Sequence, residues 1–374
     1  MEQPRIGVVG LGVMGLGIAQ TFAQAGASVI ATDGYAPARE NAAERLHAAL
    51  APRVAKGAMT DADRDAILAR FEVADSVEGL RDCDLVVEAI AEDLAAKQSL
   101  FAELEALIPP HAVLATNTSS LSVAAVANGL RHPERVVGLH FFNPAPVMKL
   151  VELIGHDGSS TAALDRARDL AESARKTVVA CADRPGFIVN RVARPFYGEA
   201  LALLEEGRDP AEIDAAMVAA GYKLGPFALI DLVGADINLA ATESLLAAMD
   251  YSPRYFVFPA LREQVARGDL GRKTGKGFVT PPNPVNPPDD ADAIVLRIES
   301  ALANEAGWLL AEGGTDQNGI DTALKLGLNF PRGPFESAKQ HGFQKVRETL
   351  VGLEANTSAE LRGRYALSPI FAEA

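Results

Sequence analysis

Residues 5–15 read RIGVVGLGVMG, an apolar β-branched run that breaks into glycines and then enters an alanine-rich stretch. The run predicts a strand over Arg5–Val9, and the stretch Gly15–Gln24 predicts a helix. Gly10-Leu11-Gly12-Val13-Met14-Gly15 fits the spacing GxGxxG at the junction. There, Gly10 permits the tight turn, Gly12 lets the backbone approach a pyrophosphate, and Gly15 lets helix and strand pack closely. The helix N-terminus offers N–H groups and a positive dipole end to phosphates. A second strand is predicted over Ser28–Thr32. Asp33 ends it, at the offset where a carboxylate accepts bonds from an adenosine ribose. That carboxylate repels a 2′-phosphate, and the next residues, Gly34, Tyr35 and Ala36, bring no cation. The expected cofactor is NAD rather than NADP.

Working outward, further strands are predicted over Leu85–Ala89, Ala112–Ala115 and Val136–Phe142, with a helix over Ala95–Leu107. Strands alternating with helices predict a parallel, doubly wound α/β sheet of Rossmann type. The character changes at Asp183-Arg184-Pro185-Gly186, and from Phe187 the apolar spacing is helical. Asp209-Pro210 marks one helix start, with Asp209 as cap and Glu212 placed for a capping box. Residues 280–290, TPPNPVNPPDD, hold five prolines in eleven residues and read as a linker. The helical pattern then repeats. EALALLEEG at 199–207 matches EAGWLLAEG at 305–313, Ile213-Asp214 recurs as Ile320-Asp321, and Gly225-Pro226-Phe227 recurs as Gly333-Pro334-Phe335. Conserved order and spacing point to duplication of one helical module. The expected organisation is a nucleotide-binding domain over 1–185, an all-α domain over 186–280 and a second all-α domain over 281–374.

Composition limits the partners. A net charge of -14 over 374 residues argues against nucleic acid and against anionic membranes. No apolar run reaches the roughly 18 residues of a membrane helix, and the N-terminus lacks a secretory pattern. Cys83 and Cys181 have no metal or redox spacing, so no metal is expected and a reducing, cytosolic compartment fits.

Four further segments carry polar residues suited to chemistry. They are Asn117-Thr118-Ser119-Ser120, GLHFFNP at 138–144, MKLVELI at 148–154, and DRPGFIVNR at 183–191. His140 stands in an otherwise apolar strand, where the plain reading is a core histidine with a satisfied ring. Glu152 alternates with Leu150 and Ile154, either as an edge-strand surface residue or as an acid needing a partner. A tight hairpin register would set Lys149 opposite His140. The other five histidines are expected at the surface, and Trp308 in the core.

Taken together, these segments resemble the 3-hydroxyacyl-CoA dehydrogenase family over roughly Ile6–Phe278. The tail resembles a second copy of that family's C-terminal helical domain. The resemblance implies NAD-dependent oxidation of a 3-hydroxyacyl-CoA to the 3-ketoacyl-CoA, or the reverse. It implies His140 as general acid/base, Glu152 as its partner, and Ser119 and Asn190 on the substrate oxygen. More loosely it implies Glu92, Lys97 and Asn117 along the nicotinamide side of the cofactor, and Lys56 near the CoA phosphates. Around Lys56 this chain departs from the family's basic pattern, keeping Arg53 and few other cations. For Glu92 and Lys97 a solvated salt bridge on a helix is an equal reading. The acyl group is a short one such as acetoacetyl, or a dicarboxylic one such as 3-hydroxyadipyl.

Two alternatives remain. The loop GLGxMG is shared with free 3-hydroxyacid dehydrogenases, whose catalytic lysine has no counterpart in DRPGFIVNR. A non-catalytic NAD-binding protein, like certain lens crystallins, fits poorly with the full set Ser119, His140, Glu152 and Asn190. Family members with one helical domain pair through it, so a tandem copy predicts a monomer. The second module lacks a DRPGFIVNR equivalent and is expected to be structural.

Overall fold

A computed structural model describes residues 3–283 and 285–373. The chain divides into two compact units, Met1–Arg184 and Pro185–Ala374. The first holds eight strands: β1 (Arg5–Val9), β2 (Ser28–Thr32), β3 (Phe71–Val73), β4 (Leu85–Glu88), β5 (Val113–Thr116), β6 (Val136–Phe141), β7 (Leu150–Gly155) and β8 (Thr177–Ala182). Its helices are α1 (Val13–Gln24), α2 (Ala36–Glu40), α3 (Ala42–Ala55), α4 (Asp61–Leu68), α5 (Leu94–Leu107), α6 (Val123–Ala127) and α7 (Thr161–Ser173). The strands form one sheet in the order β3-β2-β1-β4-β5-β6-β7-β8. Every pairing is parallel except β6 with β7. Each residue of β4, β5 and β6 is buried, which is why these strands read as mainly apolar, with Glu88, Thr116 and His140 as the exceptions.

The predicted α/β sheet is present, with β1 and β2 at the expected bounds. Two strands escaped the reading, β3 and β8, and both lie at sheet edges. Their half-exposed burial leaves no continuous apolar signature. The β6–β7 pair is antiparallel, but in a different register from the tight hairpin. It sets Glu152, not Lys149, directly opposite His140, because residues 142–149 all lie in the connecting turn. Glu152 thus occupies an interior strand and is fully buried rather than a surface residue.

The second unit is helical: α8 (Val189–Val192), α9 (Arg194–Glu205), α10 (Pro210–Ala219), α11 (Pro226–Val233), α12 (Ala235–Ala248), α13 (Pro259–Ala266), then α14 (Ala291–Glu312), α15 (Gln317–Leu328), α16 (Pro334–His341) and α17 (Phe343–Asn356). Residues 280–283 and 285–290 carry neither helix nor strand, and Pro284 of the expected linker lies outside the described residues. Asp209 caps α10 through the Ala211 N–H at 2.7 Å, one position short of the bond a capping box requires.

The sequence repeat has a counterpart in local geometry. Asp214 accepts from the N–H groups of Phe227 and Ala228 at the start of α11. Asp321 accepts from Phe335 and Glu336 at the start of α16 in the same way. The ion pairs are reciprocal as well. Arg191 Nε donates to Glu305 at 2.8 Å and Arg297 Nε to Glu199 at 2.9 Å. The remaining guanidinium nitrogens reach Glu312 and Glu206, respectively. Arg254 and Tyr255 close on Glu305, and Arg364 and Tyr365 close on Glu199. His341, expected at the surface, donates into this interior at the buried Glu299. Trp308 is half-buried, with its ring N–H on the Ala366 carbonyl.

Candidate active site

The chain leaves β1 at Gly10, whose φ of 99° lies in the region that favours glycine. A Cβ at Gly10 would sit 2.5 Å from the Ala89 carbonyl oxygen, and one at Gly15 would sit 1.7 Å from that of Gly10. These two glycines therefore hold the loop against β4 and α1 against the loop. Gly12 differs, because nothing lies within 4 Å of its missing Cβ. It caps α1 without any side-chain bond, so the first N–H groups of the helix face an open space suited to a pyrophosphate. Val13 is exposed and Met14 half-buried on the same turn.

Asp33 is oriented by two backbone donors, Leu11 N–H at 2.6 Å and Tyr35 N–H at 2.8 Å. A carboxylate has about four lone-pair positions, so acceptor capacity for ribose hydroxyls remains. Arg39 approaches from six residues along, but its guanidinium donates to the Asp33 carbonyl oxygen at 2.6 Å. The open Gly12 face, the uncapped helix and the fixed Asp33 together fit a dinucleotide.

On the same sheet, His140 near the end of β6 and Glu152 on β7 meet through Nδ1 and Oε2 at 2.6 Å. The two side chains are 8% and 0% exposed. An Nδ1–H held by a buried carboxylate fixes one ring orientation and one tautomer. The Phe142 ring lies against the imidazole in a tilted contact, with centroids 4.6 Å apart. Asn117, just past β5, accepts from the Phe141 N–H at 2.8 Å and so ties the end of β6 to the neighbouring strand.

Ser119 is held through its backbone. Glu92 Oε1 accepts from the Ser119 N–H at 3.0 Å, the Ser120 N–H at 3.1 Å, and the hydroxyls of Thr118 and Ser120. Burial pushes the Glu92 carboxyl up, but its bond from Thr118 and the nearby Lys97 charge outweigh this and hold it below its ordinary value. Lys97 is not part of a solvated helical pair. Its ammonium is 1% exposed, 2.6 Å from Glu88 and 3.3 Å from Glu92. Glu92 precedes α5 rather than lying on it. Glu88 is fully buried and accepts also from Thr116 at 2.7 Å and from the Ile90 N–H. Sequence reasoning missed Glu88. The signal was a carboxylate closing a wholly apolar strand, which demands a cation nearby.

Lys56 follows α3 and is exposed. Asn190 belongs to α8 of the second unit, where its carbonyl accepts from Arg194 Nε at 3.0 Å. Among the described residues no cluster of three or more His, Cys, Asp or Glu is placed to hold a metal. Among them, too, no helix is long and apolar enough to cross a membrane.

The first unit thus has the fold and cofactor loop of an NAD-dependent oxidoreductase. Comparison with known proteins narrows this class. Residues 5–184 match the NAD-binding domain of 3-hydroxyacyl-CoA dehydrogenase. Residues 186–281 and 294–373 match the C-terminal domain of the same family. The chain is 43% identical to the 3-hydroxyadipyl-CoA dehydrogenase of Escherichia coli K12, over 95% of this chain and 94% of that one. It is 42% identical to a probable 3-hydroxybutyryl-CoA dehydrogenase of Bacillus subtilis, over 74% of this chain and 97% of the other. A solved E. coli 3-hydroxybutyryl-CoA dehydrogenase superposes with a TM-score of 0.92 at 31% identity, covering 100% of this chain and 98% of that one. The chain belongs to the 3-hydroxyacyl-CoA dehydrogenase family. Its reaction is the NAD-dependent interconversion of a 3-hydroxyacyl-CoA and the 3-ketoacyl-CoA.

Proposed function

We propose that His140 is the general acid/base of this reaction and that the buried 2.6 Å contact with Glu152 is what equips it. In the oxidative direction Nε2 takes the proton of the 3-hydroxyl while hydride leaves C3. Bound NAD supplies the hydride acceptor. Glu152 stabilises the imidazolium that forms, and the same ring returns the proton in the reductive direction. Ser119 and Asn190 hydrogen-bond the substrate oxygen and favour the charge that develops on it. The loop Gly10, Gly12, Val13, Met14 and Gly15 takes the pyrophosphate, and Asp33 the adenosine ribose. Glu92, Lys97 and Asn117 shape the nicotinamide side, with the deeply buried Lys97 acting through Glu88 and Glu92 rather than by contact. Lys56 assists at the CoA phosphates.

His140→Gln tests the assignment. NADH oxidation with acetoacetyl-CoA should fall by ~10²–10⁴ while NADH binding persists. Near-full activity would remove His140 from the mechanism.

We infer an (S)-3-hydroxyacyl-CoA of four carbons as the default substrate. A six-carbon dicarboxylic acyl group is the second reading, favoured by the near full-length likeness to the 3-hydroxyadipyl-CoA enzyme. Comparing kcat/KM for acetoacetyl-CoA and 3-oxoadipyl-CoA decides between them.

We propose three domains, 1–185, 186–280 and 281–374, with the last a copy that serves structure. The reciprocal ion pairs support that copy as an internal partner, and so a monomer. Light scattering at micromolar concentration should give the mass of one chain, and a stable dimer would refute it. Two buried free thiols support a reducing, cytosolic compartment, and the acidic balance is consistent with no nucleic-acid partner.

A further inference from the structure

The first unit has a cleft of about 570 Å³ away from the dinucleotide loop, framed by the second half of α1, the end of α3, α4 and the turns before β7 and β8. Its wall gathers cations from four separate segments: Arg53, Arg70, Lys149, and the adjacent Arg175 and Lys176. The one carboxylate lining it is Asp63, which is engaged in capping α4 through Thr60. Among the described residues Arg53, Arg70, Lys149 and Arg175 form no ion pair, and the bond Arg70 makes goes to the Ala23 carbonyl at 3.3 Å. Lys176 is 8% exposed. Its ammonium donates to the carbonyls of Ala145 and Met148 and faces no carboxylate in that position. In a chain of net charge -14, such a local excess is an electrostatic basin for anions.

A second observation is independent of charge. Gln24 lines the same cleft, and its side-chain Nε2 is buried without a hydrogen-bond partner. A buried donor left unpaired costs ~1–3 kcal/mol, a cost that a ligand oxygen or an ordered water would relieve. Several cations plus an orphan amide donor call for a ligand with multiple charges and many oxygens. That chemistry is a diphosphate or a phosphate monoester, rather than one carboxylate. The cofactor loop does not supply it. Gln24 lies twelve residues along α1 from Gly12, roughly 18 Å at about 1.5 Å per residue.

We propose that this cleft binds the phosphate groups of a small molecule, apart from those the dinucleotide loop receives. Two sources share the chemistry: the nucleotide end of the acyl-CoA substrate, and a separate phosphorylated metabolite. The first rests on the acyl-CoA reading and the second does not.

The test is calorimetric titration of the full chain, saturated with NAD, by inorganic pyrophosphate and by adenosine 3′,5′-bisphosphate. Binding in the millimolar range or tighter is expected, weakening with salt. Each of Arg53→Ala and Arg175→Ala should cost about tenfold in Kd, and Gln24→Leu less. Both arginines are exposed, so the fold survives their loss. KM then separates the sources. A rise for acetoacetyl-CoA in Arg53→Ala/Arg175→Ala, with no rise for acetoacetyl-pantetheine, assigns the CoA nucleotide. Lost pyrophosphate binding with both KM values unchanged assigns a separate ligand. No binding of either probe, or binding indifferent to the arginine changes, overturns the proposal, and neither result bears on the dehydrogenase activity.

Discussion

Replacing Glu152 by Gln removes one charge from the site and little else. The carboxylate is fully buried and lies 2.6 Å from His140 Nδ1. A charged hydrogen bond of this kind contributes ~1.5–3 kcal/mol, and ~1.4 kcal/mol is a factor of ten. If the bond strengthens as His140 takes up a proton, kcat/KM falls about 10- to 150-fold. A glutamine of the same length still bonds the ring but withholds the charge that stabilises imidazolium. The assay is NADH oxidation with acetoacetyl-CoA, on protein whose melting curve shows it folded. A cycle sharpens the result. Glu152 acts through His140, so adding Glu152→Gln to His140→Gln should cost almost nothing further, as expected for residues working as a unit. An equal loss in both backgrounds would refute the pairing as the source of its effect. Full activity in Glu152→Gln alone would show that the buried contact serves packing.

Two other changes probe the cofactor side. Gly12→Val meets no neighbouring atom at its Cβ, so the melting temperature should stay within a few degrees while NADH affinity, followed by fluorescence, falls at least tenfold. A large loss of stability instead would mean that Gly12 serves the turn rather than the pyrophosphate. Lys97→Met leaves Glu88 buried beside Thr116 without its cation, which is expected to destabilise by ~3–5 kcal/mol in denaturant unfolding. A cost under about 1 kcal/mol, the scale of exposed pairs, would contradict the burial of this pair.

The sequence signals that worked were those with a local period or a steric requirement. β1 and β2 were legible because Ile6, Val8 and Val9 and then Val29, Ile30 and Ala31 form short apolar runs, closed by Gly10 and Asp33. The Gly10–Gly15 loop was legible because two of its glycines have no room for a Cβ. What failed depended on pairing across the chain. β3 and β8 lie at sheet edges and carry weak apolar patterns. The His140–Glu152 register follows from how much chain the 142–149 turn absorbs, which no spacing rule states. Glu88 and Lys97 read as unrelated residues until β4 and α5 pack. The cationic cleft is the extreme case, since its residues come from segments that share no motif.

The reciprocal ion pairs of the second unit bear on why the chain carries a second helical module. Buried charge pairs return little net stability, because desolvation offsets their attraction. What they enforce is register, since each guanidinium finds all its acceptors in one arrangement only. Arg191 with Glu305 and Glu312 mirrors Arg297 with Glu199 and Glu206, so residue i meets j where j meets i. That is the signature of an isologous two-fold contact, formed within one chain. A subunit interface of this kind dissociates on dilution, whereas a covalent tether holds the effective concentration constant. The same alignment says why chemistry is expected from one module. The residue before Arg191 is Asn190, proposed to hold the substrate oxygen, and the residue before Arg297 is Leu296. The second copy keeps the arginine that fixes the contact and lacks the amide that would serve a substrate.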